Sequence, residues 1–134
     1  DVLGSRGLGD VYKRQDLYKL YQIADIGVLP SFHEQCSYVA IEMMMYGIPL
    51  VASTSTGLSE MIEDGVSGYH IPIIEYENHT DLNTYELQSK LLILLKDSSM
   101  RKEMAKNSRL RYERYYTSEI FSSCMQEFYN RFVL

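Results

Sequence analysis

Apolar residues follow two rhythms along this chain. Up to residue 72, short uncharged runs alternate with helical stripes; beyond residue 84 only helical stripes remain. In DLYKLYQIAD, starting at Asp16, residues Leu17, Leu20, Tyr21 and Ala24 fall at i, i+3, i+4 and i+7, which predicts a helix with Asp16 as its cap. IGVLP reads as a short buried strand stopped by Pro30. Ser37 to Tyr46 is a predicted helix, with Gly47 at the position where a left-handed residue costs least. IPLVAS is a second buried strand, and GLSEMIE (57–63) a short helix closed by Asp64 and Gly65. VSGYHIP gives a turn and a third strand. A polar loop from Glu75 to Asn83 follows, and then the pattern is wholly helical. Leu87, Leu91, Leu92, Leu94 and Leu95 build one amphipathic helix, and residues 99–115 a second, more charged one. Thr117 or Ser118 caps a third, with Ile120, Phe121, Cys124, Phe128 and Phe132 on its apolar side.

Strand, helix, strand, helix, strand with short loops is the pattern of an α/β domain with a parallel sheet. The strand runs do not alternate, as expected when both faces of the sheet are covered. Doubly wound sheets usually carry about five or six strands, so a three-stranded reading implies the C-terminal part of a larger Rossmann-like sheet, beginning inside it. Residues 1–15, DVLGSRGLGDVYKRQ, lack periodicity. A phosphate-cradling glycine loop should follow a buried strand and open a helix, and DVL is too short to be that strand. This segment is set apart as a tail left by sequence assembly, and residues 16–134 as the domain.

Bulk numbers narrow the classes. The chain has 134 residues, about one domain, and 46% hydrophobic with 23% charged content is ordinary globular material. A net charge of −5 argues against nucleic acid, whose binding needs a basic footprint. Cys36 and Cys124 form neither a disulfide framework nor a zinc spacing, which fits reduced thiols and a cytoplasmic location. Runs such as IPLVA and LLILL fall far short of the ~20 residues of a membrane span.

The chemistry concentrates in PSFHEQCSYVAIEMMMYGIPLVAS, residues Pro30 to Ser53, where Glu34 and Glu42 have no Lys or Arg nearby in sequence. Val39, Ala40, Ile41, Met43, Met44 and Met45 surround Glu42, so its helix looks buried nearly all round, where an unpaired carboxylate is costly. Eight residues of helix span ~12 Å, too far for an acid/base pair at ~5 Å. Two separate acceptors along one elongated ligand fit better. Ligands of open parallel sheets bind outside the carboxyl ends of the strands, where the Ser31–Ser37 loop lies. N–H groups at the helix start favour a diphosphate, and carboxylates suit sugar hydroxyls.

Pro30-Ser31-x-x-Glu34 with Glu42, then GIPLVAS from Gly47, Gly57-Leu58-Ser59-Glu60 and Glu63-Asp64-Gly65-Val66-Ser67-Gly68, resembles the C-terminal domain of family 4 glycosyltransferases, retaining enzymes of the two-domain GT-B architecture. The match runs from about Asp16 to Pro72. It implies a transferase of polysaccharide biosynthesis that moves a hexose from a UDP- or GDP-sugar to an acceptor hydroxyl, with no metal or other cofactor. Glu34 is then the catalytic candidate at the donor sugar. Gln35, Cys36, Ser37 and Tyr38 line the donor site with it, and Glu42 holds the ribose. The acceptor, a glycan or a lipid-linked glycan, would come from an N-terminal domain outside this chain, so this piece alone is expected to be inactive. The sequence departs from the family where a glycine-rich run after the first glutamate is replaced by Gln35-Cys36-Ser37, and where a usual Gly-Gly is Thr56-Gly57. The basic pair that grips the donor diphosphate in the family has no counterpart from Asp16 onward. Two other readings stay open: an epimerase or phosphorylase of the same architecture, and a non-catalytic nucleotide-sugar-binding or partner-docking domain.

Other residues carry less. His33 and Cys36 are too few for zinc, and a thiolate nucleophile needs an activating base. His70 and His79 read as structural or loop residues. Lys102, Lys106 and Arg109 share one helix face, which reads as solvated, with a peripheral membrane surface as the alternative.

Overall fold

The computed structural model describes residues 8–132. The order is α1 (Leu8–Ile23), β1 (Gly27–Leu29), α2 (Tyr38–Met45), β2 (Leu50–Ser53), α3 (Thr56–Met61), β3 (Gly68–Ile71), β4 (Ile73–Glu75), β5 (Thr80–Leu82), α4 (Thr84–Lys96), α5 (Ser98–Tyr115) and α6 (Ser118–Phe132). β1, β2 and β3 form a parallel sheet in that order, with Val28 opposite Val51 and Val51 opposite Tyr69. All four residues of β2 are buried, as the lack of alternation predicted. Leu50 and Ala52 face Ala40 and Met44 from α2, Leu58 and Met61 from α3, and Ile62 just after it. Val51 faces the other way, with Tyr69, Ile71, Leu82, Leu94 and Met104.

Local chemistry explains the α2 boundaries. Ser37 is extended and its Oγ accepts from the Ala40 amide at 3.2 Å, an N-cap. At the other end Gly47 has φ +69°, its N–H donating to Met44 O at 2.9 Å while Ile48 donates to Met43 O at 3.0 Å. Those two bonds are a Schellman stop, and they turn the chain straight into β2. Helix α5 then secures the carboxyl ends of α2 and α3. The Arg109 guanidinium donates to Met45 O, Arg111 to Met61 O at 2.6 Å and Glu60 O at 2.7 Å, and buried Ser108 to Ile48 O at 2.8 Å. Cations are favoured there because the last carbonyls of a helix have no partner within it.

Several expectations change. Helix α1 takes in residues 8–15, and Asp16 is interior to it rather than a cap. Of its expected stripe Tyr21 is buried (5% exposed), whereas Leu20 is 58% exposed. Helix α2 is not buried all round: Ala40 and Met44 are inside, but Tyr38 and Val39 are exposed and Glu42 is half-buried. The polar loop contains an antiparallel hairpin, β4–β5, with Glu75 opposite Thr80. Thr117 does cap the last helix, its Oγ1 accepting from the Ile120 amide at 3.3 Å. The apolar side of α6 is exposed, however; none of its residues is buried, and Phe132 is 69% exposed. Ile120, Phe121 and Cys124 of that side border a cavity with Cys36, Tyr38 and Ile41.

Candidate functional site at the carboxyl edge of the sheet

Three connections meet beyond the carboxyl ends of the strands: β1–α2 (30–37), β2–α3 (54–55) and the segment from β3 into the hairpin. The first two are locked by backbone. The Gly57 N–H donates to Glu34 O at 2.8 Å. A Cβ on Gly57 would stand 2.1 Å from Gln35 O and 2.8 Å from Glu34 O, so only glycine lets α3 begin this close to the loop. Buried Ser53 adds a second tie, its Oγ donating to Ser31 O. Thr54 links the third connection, donating from its amide to Ile71 O at 2.9 Å and accepting at Oγ1 from the Ile73 amide at 3.1 Å.

Between these connections lies a cavity of about 360 Å³, lined by Phe32, His33, Glu34, Gln35, Thr54, Ser55, Thr56, Ile73, Glu75 and Thr80. Its lining holds carboxylate, amide, imidazole and hydroxyl groups, which can hydrogen-bond a polyol. Among the described residues no Lys, Arg or His forms an ion pair with Glu34.

The expected site residues do not all converge. Glu34 and Gln35 line this cavity. Cys36 and Tyr38 line a second, more apolar one of about 560 Å³, with Ile41, Tyr116, Ile120, Phe121 and Cys124. The Ser37 hydroxyl is buried and engaged as the cap of α2. Glu42 faces α1, where the Tyr21 hydroxyl donates to its Oε2 at 3.2 Å. This corrects the expectation that Glu42 lacks a protein partner. Burial, then the adjacent Glu42 carboxylate, push the Tyr21 hydroxyl up to about 12. Tyr21 also joins a ring cluster with Tyr18 and Tyr46, at 6.4 and 5.7 Å between centroids, so α1 docks on the end of α2 through aromatic contacts as well.

Sequence reasoning passed over Tyr21 as a partner for Glu42, and over Glu75 and Thr80 as cavity residues. The first had a signal, a tyrosine on the predicted buried stripe of the preceding helix. The second had none in the pattern: Ile73-Ile74-Glu75 shows no apolar–polar alternation ahead of an apparent loop. The basic stripe on α5 is not a uniform solvated face: Arg109 is spent on Met45 O and on Glu113 Oε1 at 2.7 Å. His79 stacks on Tyr76 at 4.6 Å, a loop role as expected. No described helix is long and apolar enough to cross a membrane.

Comparison with known proteins places this arrangement. The family description "Glycosyl transferases group 1" matches residues 7–111. The alpha-D-kanosaminyltransferase of Streptomyces kanamyceticus is 29% identical over 113 residues, covering 80% of this chain and 27% of that protein. The crystal structure of the C-terminal domain of the glycosyl transferase group 1 family protein LpcC from Francisella tularensis superposes with a TM-score of 0.60. It is 26% identical, covering 73% of this chain and 46% of that one. The structure of Anabaena HepE in complex with UDP-glucose superposes with a TM-score of 0.70 over 84% of this chain and 29% of that one; at 20% identity it speaks for the fold. The chain thus spans about a quarter of the length of the kanosaminyltransferase it matches. With the parallel sheet, the Ser37-capped helix and the GIPLVAS strand in place, this chain belongs to the glycosyl transferases group 1 family and has the fold of the C-terminal domain of a GT-B glycosyltransferase.

Proposed function

We propose that this chain forms part of the donor site of a retaining glycosyltransferase, which passes a hexose from a nucleoside-diphosphate sugar to an acceptor hydroxyl. The observation that carries this reading is the polar cavity that Glu34 and Gln35 share with Thr54, Ser55 and Thr56 at the carboxyl edge of a parallel sheet, where open α/β sheets bind ligands. Glu34 accepts hydrogen bonds from the donor sugar. The first-turn N–H groups of α2, behind Ser37, favour the diphosphate. Electrostatic stabilisation by such donors, with basic side chains from elsewhere in the protein, lets the diphosphate leave without a metal. Anabaena HepE, of like fold, binds UDP-glucose, in keeping with a sugar nucleotide as ligand. Glu42 holds the ribose, and Tyr21 fixes the carboxylate that does so; a carboxylate has several lone pairs, so the Tyr21 bond is compatible with a ribose hydroxyl. The acceptor, a glycan or lipid-linked glycan, is met by another domain of the full-length protein, and the reaction takes place in the cytoplasm at or near a membrane surface.

Calorimetric titration of the full-length protein with UDP- and GDP-sugars tests this. Saturable binding of at least one, with release of the free nucleotide in the presence of acceptor, is expected. Failure to bind any nucleotide sugar removes the enzyme reading.

A further inference from the structure

The β4–β5 hairpin stands where the sequence shows only a polar loop, and its two ends have different chemistry. Ile73 pairs with Leu82 at the base, and both pack with Val51, Ile71 and Leu94 in the core. Glu75 pairs with Thr80 two residues further out. Side chains two apart on a strand share a face, so the face that is apolar at the base becomes polar toward the turn. That face runs along the cavity: Ile73 at the base and Glu75 and Thr80 further out line it together with Phe32, His33, Glu34 and Gln35. The hairpin is held in place at its base. The Ile73 amide donates to Thr54 Oγ1 at 3.1 Å, and the Asn83 amide to Pro72 O at 3.1 Å. Its turn is closed by Tyr76 N–H to His79 O at 2.9 Å and by stacking of the two rings at 4.6 Å, 13° from parallel.

We propose that this hairpin is the specificity wall of the sugar pocket: Glu75 and Thr80 face the donor sugar across from Glu34 and select a neutral or ammonium-bearing hexose over a uronic acid. This deepens the donor-site reading and rests on it. Two carboxylates bordering one cavity repel a third on the sugar, and that repulsion grows as the site is desolvated. The same carboxylates accept hydrogen bonds from hydroxyl or ammonium groups, and the Thr80 hydroxyl can both donate to and accept from a sugar hydroxyl. Glu75 is exposed at the mouth of the cavity, so changing it leaves the core intact.

The test uses the full-length protein and three probes: UDP, UDP-glucose and UDP-glucuronate or, for a guanine-selective protein, GDP, GDP-mannose and GDP-mannuronate. Glu75→Gln is expected to narrow the preference for the neutral sugar over the uronate by about tenfold, the equivalent of ~1.4 kcal/mol, with affinity for the bare nucleotide unchanged. Thr80→Val is expected to weaken binding of the neutral sugar nucleotide alone. An unchanged ratio in Glu75→Gln, with UDP-glucose or GDP-mannose still bound as in the unmodified protein, overturns the hairpin's role and leaves the donor site standing. No binding of any sugar nucleotide by the unmodified protein removes the donor site and the wall together.

Discussion

Glu34 and Glu42 are the same residue type, eight positions apart, and the fold treats them differently. Glu34 is held through its backbone: its carbonyl receives the Gly57 N–H, and its side chain is left at a polar cavity. Glu42 is held through its side chain, by the Tyr21 hydroxyl, while its own carbonyl takes an ordinary helical bond from the Tyr46 N–H. Fixing the main chain and leaving the carboxylate to a ligand suits a group that meets a reacting sugar. Fixing the carboxylate itself suits a group that must hold one orientation against a nucleoside. Under the proposed function the two acids are separable: one change should act on the sugar, the other on the nucleotide.

The largest effect should come from neither acid but from Gly57. Gly57→Ala forces a Cβ into Gln35 O at 2.1 Å, backbone that cannot swing aside as a side chain would. A loss of about 1–3 kcal/mol in stability, the cost of overpacking, should accompany a loss of turnover of about a hundredfold, since displacing a site by ~1 Å costs that much. Wild-type melting and turnover in this variant would show that the loop does not depend on the close approach. Glu34→Ala comes next. Turnover should fall on the order of a hundredfold, with nucleotide affinity held. Glu42→Ala should weaken nucleotide binding by ~1–3 kcal/mol, the cost of a lost charged hydrogen bond; unchanged affinity in calorimetry sinks the ribose role.

The smallest effect belongs to Tyr21→Phe, which removes one hydrogen bond to a carboxylate and should cost about 1–2 kcal/mol in stability. It also carries a pH signature. In the folded protein the Tyr21 hydroxyl keeps its proton up to about 12, against 10.0 in the ordinary case. A proton bound more tightly in the folded state contributes stability that is complete below 10 and is lost as the pH rises from 10 toward 12. Denaturant titrations across that window should therefore show a shallower alkaline decline for Tyr21→Phe than for the unmodified chain. Parallel declines would mean that Tyr21 titrates alike in both states.

Much of the sheet layer was legible from residue types because its signals are local. Ser37 and Gly47 mark the ends of α2, Pro30 stops β1, and the unbroken apolar run at 48–52 announces a strand covered on both faces. The hairpin was hidden because Glu75-Tyr76-Glu77-Asn78-His79-Thr80 is polar throughout; its pairing rests on cross-strand backbone bonds and on a Tyr76–His79 stack that no local propensity encodes. The environment of Glu42 was misjudged for a related reason. Flanking methionines suggested enclosure, but burial on a helix is set by what packs on each face. Ala40 and Met44 turn inward while Tyr38 and Val39 meet solvent. The pattern of α6 was read correctly as amphipathic, yet amphipathicity says only that a face is apolar and not that this stretch of chain covers it. A cavity lies at the strand edge where the Glu34 loop was expected, but its lining depends on Gly57 meeting that loop and on Thr54 meeting the start of the hairpin, both across long sequence separations.

The central claim, that Glu34 serves the sugar and Glu42 the nucleotide, is tested most directly by paired calorimetry on the full-length protein. Each of the unmodified, Glu34→Ala and Glu42→Ala proteins is titrated with the bare nucleoside diphosphate and with its sugar conjugate. The account predicts that Glu34→Ala binds the bare nucleotide normally and loses the extra affinity conferred by the sugar, while Glu42→Ala weakens both ligands by the same factor. Equal weakening of both ligands by Glu34→Ala, or full nucleotide affinity in Glu42→Ala, would contradict it.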